Sequence, residues 1–399
     1  MTTASVLQPS PDVEVHRTGP KRLLSVDVFR GLLVAGMVLV TNPGTYDFIY
    51  WPLKHADWNG ATPTDMIFPS FLFLAGVSMT FSFASRRGRG ETRKGTAAHV
   101  VWRSLLLIAV GVLLNCFDLL HLPNLRLPGV LQRIGLCYLC AGLLYLSVLE
   151  QKPNVRFAVI GGVMIALPAT YWALQTLVSV PGYGVGRLDA AGTLSAYIDR
   201  AVFTTTHLWH WGGPGQMWDP EGLLTTLPAI DNLLLGVLAG EWLRRQGGVA
   251  ARRRVSGMAV AGVGLILAAI ALAAVIPINK KIWTPSFVLL SGGFSLLAMA
   301  LLYWVIDARG WRWGLTPALV YGSNAILGFA LANMISPIFG LIGLRGTDGQ
   351  LVTIPGIGFE FFARFLNSWN ASLAYAILYV LLIMAILWPL YRRRIFIRL

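Results

Sequence analysis

Apolar stretches of about 20 residues, parted by short polar or basic segments, recur from Leu23 to Trp388, and a helix needs that length to cross the hydrocarbon layer of a bilayer. The pattern predicts an all-α, polytopic integral membrane protein with about ten transmembrane helices, at roughly 23–42, 62–84, 97–116, 128–149, 155–177, 222–243, 255–276, 285–306, 316–340 and 372–391. Punctuation in the sequence sets several ends. Ser25 is placed to cap the first helix and Asn42-Pro43-Gly44 to stop it, while Thr62-Pro63 opens the second and Arg86-Arg87-Gly88-Arg89 closes it. Residues 1–22 are polar, contain proline and end in Lys21-Arg22, which predicts a disordered cytoplasmic tail with no cleaved signal peptide. Residues 23–399 then form one transmembrane domain with outer loops at 43–61, 178–221 and 341–371.

Composition agrees with this class, and charge orients it. Hydrophobic residues make up 55% of the chain and charged residues only 13%, with a mean hydropathy of +0.63. The formal net charge of +14 would suit a nucleic-acid partner, but the basic residues lie in short clusters between apolar runs, so nucleic acid is set aside. With the N-terminus inside, the inner segments hold 21 of the 32 Lys and Arg residues and the outer segments eight, which predicts that both termini are cytoplasmic. Cys116, Cys137 and Cys140 all fall in apolar segments, so neither a disulfide framework nor a metal site is expected, and the 42 glycines suit close helix packing.

The densest polar stretch between spans is residues 51–69, which carries Lys54, His55, Asp57, Trp58, Asn59, Thr62 and Asp65. A base, an amide and carboxylates beside tryptophans can hold a polar ring and move a proton, and histidine is the side chain that is neutral yet basic near pH 7. His55 is therefore the candidate base or covalent carrier; its bland alternative is an interfacial loop histidine. Asp57 and Asp65 either orient His55 or bind substrate hydroxyls, Asp65 being equally a first-turn helix carboxylate, and Asp57, Trp58 and Asn59 are candidate substrate contacts. Trp51 and Trp58 equally fit an aromatic belt. Asn42 is either a helix-end residue before Pro43 or an amide donor to a carbonyl on which charge develops. Arg133 and Asp231-Asn232, deep in spans, should face the protein interior, because a charge facing lipid costs at least about 2.5 kcal/mol. His207, His210, Asp219 and Glu221 lie on a long outer loop; their spacing is not that of a zinc site, and His207 and Glu221 are candidate substrate contacts.

Ser25-Val-Asp27-Val-Phe-Arg30-Gly31, followed by Lys54-His55-Ala-Asp-Trp58-Asn59-Gly60-Ala-Thr-Pro-Thr-Asp65-Met-Ile-Phe68-Pro69, resembles the heparan-α-glucosaminide N-acetyltransferase family. The likeness continues through Pro128-Gly-Val-Leu-Gln132-Arg133, Tyr197-Ile-Asp199-Arg200, Asp219-Pro-Glu221-Gly222, Asn279-Lys280 with Trp283-Thr-Pro-Ser, and Gly322-Ser-Asn324. The resemblance implies a membrane acyltransferase that moves acetyl from cytosolic acetyl-CoA to an amino sugar, or here a sugar hydroxyl, across the bilayer. It implies an essential histidine at His55, a matching asparagine at Asn42 and a homodimer, and the spacing of the histidines and carboxylates gives no reason to expect a metal. The short segment before the first helix points to a bacterial-type relative in a cytoplasmic membrane. Coenzyme A carries phosphates that cannot enter hydrocarbon, so its nucleotide should stay at the cytoplasmic face. From Arg30 to Asn42 is twelve residues of helix, roughly 18 Å, comparable to an extended pantetheine arm. Arg30, Asn324, Arg133 and Gln132 are the candidate donor contacts. A sugar transporter is the alternative reading of the same polar groups.

Overall fold

A computed structural model describes residues 23–117, 122–212, 215, 217–244, 250–345 and 351–397; the expected tail at 1–22 lies outside these. The helices are α1 (Leu24–Thr41), α2 (Ile67–Gly88), α3 (Arg93–Asn115), α4 (Val130–Val148), α5 (Pro153–Leu177), α6 (Leu194–Phe203), α7 (Thr226–Arg244), α8 (Ala251–Ala273), α9 (Pro285–Leu302, continued by a π turn to Ala308), α10 (Thr316–Ser323) and α11 (Ala325–Leu341). A short antiparallel hairpin, β1 (Gly343–Arg345) with β2 (Leu351–Thr353), pairs Leu344 with Val352 and leads into α12 (Ile354–Ala363) and α13 (Ser368–Arg392).

The expected spans lie on these helices, with two differences. Eight helices among the described residues are long and apolar enough to cross a membrane, and a ninth span is the pair α10 and α11, bent by 84° at Asn324. The tenth expected span, α7, does not qualify on its own apolarity because it contains Asp231, Asn232 and Glu241. It needs less of it, since α7 is the inner helix of the bundle, packed on α2, α4, α5 and α9 with most of its residues buried. The second difference concerns Ser25. It sits inside α1 without capping it, and the first free N–H groups, those of Leu24 and Ser25, donate to the two oxygens of Asp307 at 3.1 Å each.

Glycine lets two helix pairs approach backbone to backbone. A Cβ on Gly76 would lie 2.0 Å from the Leu233 carbonyl oxygen and one on Gly236 1.9 Å from that of Phe73, so α2 and α7 meet through these two residues. Gly31 and Gly322 do the same for α1 and α10, with 1.7 Å to the Ala318 oxygen and 2.0 Å to the Asp27 oxygen. Because successive spans run in opposite directions, the loops fall at two ends. The loops holding His55, Arg126, Trp218 and Lys280 meet at one end, the histidine end; Arg156 with Glu241, and Leu24 with Asp307, meet at the other, where α13 finishes.

Candidate active site

Thr62 and Asp65 form a capping box at the 3-10 turn Pro63–Met66 that leads into α2. The Thr62 N–H donates to Asp65 Oδ2 at 2.9 Å, and the Asp65 N–H returns to the Thr62 carbonyl at 3.0 Å. The two carboxylate oxygens then serve different partners. Oδ2 also accepts from the Ala56 N–H at 3.2 Å, whereas Oδ1 lies 2.7 Å from His55 Nδ1 and accepts its proton. Capping the helix and orienting the histidine, read from the sequence as alternatives, are thus carried by one side chain. Asp65 is sealed in at 1% exposure, while the His55 side chain is 48% exposed. The preceding loop is pinned by two hydroxyls, with Thr62 Oγ1 on the Lys54 carbonyl at 2.6 Å and Thr64 Oγ1 on that of Pro52 at 2.9 Å.

The connection between α8 and α9 closes over this turn from the far side of the sequence. The Gly60 N–H donates to the Ile278 carbonyl at 2.7 Å, Asn279 Nδ2 donates to Asn59 Oδ1 at 3.2 Å, and Lys281 Nζ donates to the Asp57 carbonyl. Lys280 Nζ reaches the site itself, 3.1 Å from His55 Nδ1 and 3.5 Å from Asp65 Oδ1. Burial and then the Lys280 cation lower the His55 pKa below its ordinary 6.5, with the hydrogen bond to Asp65 working the other way. Burial likewise lowers the pKa of Lys280, against the opposing charges of Asp65 and Glu221.

A third wall comes from residues 178–225. Trp58 Nε1 donates to the Leu188 carbonyl at 2.9 Å, and the rings of Trp58 and Trp209 each meet Trp218 edge-on, at 5.3 and 5.2 Å. Lys281 lies 5.8 Å from the Trp58 ring centre and 5.5 Å from that of Trp218. Arg126 grips Asp219 through Nε at 2.8 Å and Nη2 at 2.6 Å, and donates to Glu221 as well, so both carboxylates are held by one guanidinium. His207 is occupied elsewhere in this wall: its Nδ1 is 2.8 Å from the Leu125 carbonyl, and its own carbonyl accepts from the Leu127 N–H.

His55, Asp57, Trp58, Asn59, Asp65 and Glu221 therefore share one end of the bundle, and Lys280 joins them unexpected from sequence. Asn42 caps α1 nearby, 7% exposed, with Nδ2 donating to the Val38 carbonyl at 2.8 Å and Thr41 Oγ1 at 3.0 Å; donating to a reaction centre would require releasing one of these. Arg133 points inward, as its cost in lipid demands, donating through Nη2 to the Gly222 carbonyl at 3.0 Å and to Thr225, with its guanidinium 5.0 Å from the Trp283 ring centre. In α7, Asn232 bridges Trp283 Nε1 (3.1 Å) and Ser291 (3.0 Å), and neither carboxylate oxygen of Asp231 has a hydrogen-bond partner among the described residues.

A cavity of about 790 Å³ opens between α1, α2, α3, α4 and the broken span α10–α11. Its lining runs along α1 from Leu23 to Met37, roughly 21 Å of helix, and is apolar over Val34, Phe71, Leu74, Leu131 and Phe329. Its basic side chains are Arg30, Arg86, His99 and Arg103. Arg30 donates to Asp27 at 3.0 Å and to Ser78 at 2.9 Å, Arg86 pairs with Glu91, and Arg103 lies 4.9 Å from the Tyr138 ring centre. Of the four donor contacts expected from sequence, Arg30 alone lines this cavity. Asn324 is fully buried at the helix break, where Nδ2 donates to the Ile395 carbonyl (3.0 Å) and Oδ1 accepts from the Ile397 N–H (2.8 Å), so both ends of its amide hold the C-terminal segment. Gln132 donates to the Leu127 carbonyl at 3.0 Å and packs against Gly111, and Arg133 faces Trp283. Arg86 went unread because in sequence it is part of the basic excess that orients the chain, and His99 and Arg103, inside the third span, were given no role.

A half-open histidine on a sealed carboxylate at one end of a membrane-spanning bundle, with a long cavity carrying cations within the same bundle, defines an integral membrane protein with an enzyme-like site. Comparison with known proteins narrows the class. The family model described as "Heparan-alpha-glucosaminide N-acetyltransferase, catalytic" matches residues 22–270, and this chain belongs to that family. It is 31% identical to heparan-alpha-glucosaminide N-acetyltransferase of Mus musculus over 355 residues, 79% of this chain and 54% of the relative. The Homo sapiens protein of the same name is 31% identical over 354 residues, 77% and 52%. The chain spans about half the length of the curated relatives it matches.

Proposed function

We propose that the protein is a transmembrane acetyltransferase that takes acetyl from acetyl-CoA at the cytoplasmic face and places it on the amino group of a glucosamine-like sugar, or on a sugar hydroxyl, at the opposite face. The observation that carries this reading is the pairing of two features in one bundle: His55 on Asp65 at one end, and a cavity whose lining includes the cations Arg30, Arg86 and Arg103 together with His99. The basic excess at the α2–α3, α7–α8 and C-terminal segments supports placing the Arg86 end in the cytoplasm, and family membership supports acetyl transfer as the chemistry. The same reading makes it a multi-pass, homodimeric protein of a bacterial cytoplasmic membrane.

In this reaction the acceptor nitrogen attacks the thioester carbonyl, forming the C–N bond while His55 Nε2 takes a proton from it. The Asp65 carboxylate holds Nδ1–H and stabilises the imidazolium that forms. The C–S bond then breaks, and the thiolate of coenzyme A receives the proton. The apolar middle of the cavity suits the pantetheine arm, and its Met37 end lies five residues before Asn42, where the thioester would meet the acceptor. The test uses protein reconstituted in vesicles, with labelled acetyl-CoA on the Arg86 side and glucosamine on the His55 side. Label recovered on glucosamine supports the reading; no transfer to any amino sugar or sugar hydroxyl contradicts it.

A further inference from the structure

Lys280 reaches the His55–Asp65 pair from a distant part of the chain, and several hydrogen bonds fix its approach. Asn279 closes an Asx turn on the Ile282 N–H at 3.1 Å, the Trp283 N–H donates to the Lys280 carbonyl at 3.1 Å, and the Thr284 N–H to that of Asn279 at 3.0 Å. Trp283 takes a left-handed backbone, φ 51°, which is strained for a bulky side chain. Its fully buried ring repays that between Phe68 and Phe287, each 5.3 Å away, under Arg133, with Nε1 on Asn232. The turn so fixed bridges to Gly60 and leaves Lys280 16% exposed, with Nζ beside the imidazole.

Building on the acetyltransferase reading, we propose that Lys280 is a positioning residue that keeps His55 neutral, with Nδ1–H on Asp65 and Nε2 as the free base. One nitrogen cannot both donate to Asp65 and accept from Lys280. The 2.7 Å contact to the carboxylate outranks the 3.1 Å contact to the ammonium, and the ammonium, 3.5 Å from Asp65 Oδ1, pairs with the carboxylate instead. Its positive charge then does two things: it opposes a second positive charge on the ring, and it offsets the carboxylate charge that would otherwise draw a proton to Nε2. The charged groups acting on His55 are Lys280, Asp65 and Glu221; those acting on Lys280 are Asp65, Glu221 and Arg133. A neutral base at the pH where an amino sugar begins to lose its proton is what the transfer needs.

The experiment is ¹⁵N imidazole NMR of the full-length protein across pH, with the His55 signals assigned by their loss in His55→Gln. It reads protonation and tautomer without any acetyl transfer, so it stands apart from failure of the proposed activity. Lys280→Met, close in shape, should raise the His55 pKa by about one unit. Lys280→Arg should leave it near wild type. The acid limb of kcat/KM should move upward with it in the Met variant. An unchanged His55 pKa in folded Lys280→Met, or a wild-type ring whose proton sits on Nε2 with Nδ1 bare, would overturn the proposal.

Discussion

The two ends of this bundle solve opposite problems. At the histidine end, polar groups are many and nearly all are spoken for: Asp65 accepts from Thr62, Ala56 and His55, Arg126 holds Asp219 and Glu221, and the loops are tied together by bonds such as Gly60 N–H to the Ile278 carbonyl and Trp58 Nε1 to that of Leu188. The cavity is wide, mostly apolar, and carries only a few cations. A fixed hydrogen-bond network suits a step in which atoms must stand within a fraction of an ångström of one geometry. A roomy apolar channel with scattered cations suits a long, flexible ligand that is charged at one end. The proposed function places chemistry at one end and donor binding at the other, and that division can be broken by substitutions at each.

The largest effect is expected at His55. His55→Ala should lower acetyl transfer by about a thousandfold or more while leaving coenzyme A binding, measured by calorimetry, within twofold of wild type. Asp65→Asn comes next. It removes the acceptor of Nδ1–H and weakens the capping box, and a loss of about a hundredfold in kcat is expected, with a smaller fall in thermal stability. Arg30→Glu should act at the other end, weakening coenzyme A binding about tenfold with the acceptor KM unchanged. Asn324→Ala separates fold from site: losing two hydrogen bonds to the C-terminal segment should cost about 1–2 kcal/mol in denaturation, with little change in coenzyme A affinity.

The smallest effect is a pH dependence. Asp199 on α6 is fully buried, Oδ1 accepts the Leu223 N–H at 2.9 Å, and burial pushes its carboxyl from the ordinary 3.8 up to about 7. The folded protein therefore holds this proton between pH 4 and 7 where the unfolded chain releases it. Stability present below pH 4 is lost as the pH rises to about 7. Asp199→Asn should lack that loss, so its melting temperature relative to wild type should rise by a few degrees between pH 5 and pH 8. A constant difference across that range would show the carboxyl to be ionised when folded.

The spans were legible because apolar runs report bilayer thickness directly, and the start of α2 because Thr62, Pro63 and Asp65 are local capping chemistry. His55 and Asp65 were readable for the same reason, lying ten residues apart on one turn. Lys280 stood in the Asn279-Lys280 and Trp283-Thr-Pro-Ser motif without a role, since its contact with His55 spans 225 residues and depends on a strained turn at Trp283. Asn324 shows another limit of local reading. Its motif marked it as special, yet the polar group serves an 84° break in a span and the chain end tied to it. The span at α7 was legible despite Asp231 and Glu241, which an enclosed helix tolerates and a lipid-facing one would not.

The most direct test of the division between the two ends is a structure of the full-length protein in a lipid bilayer with coenzyme A bound. The expected result is the adenine and phosphates among Arg30, Arg86, His99 and Arg103, with the thiol reaching toward Asn42 and His55. Adenine density beside His55, Trp58 and Lys280 would contradict it.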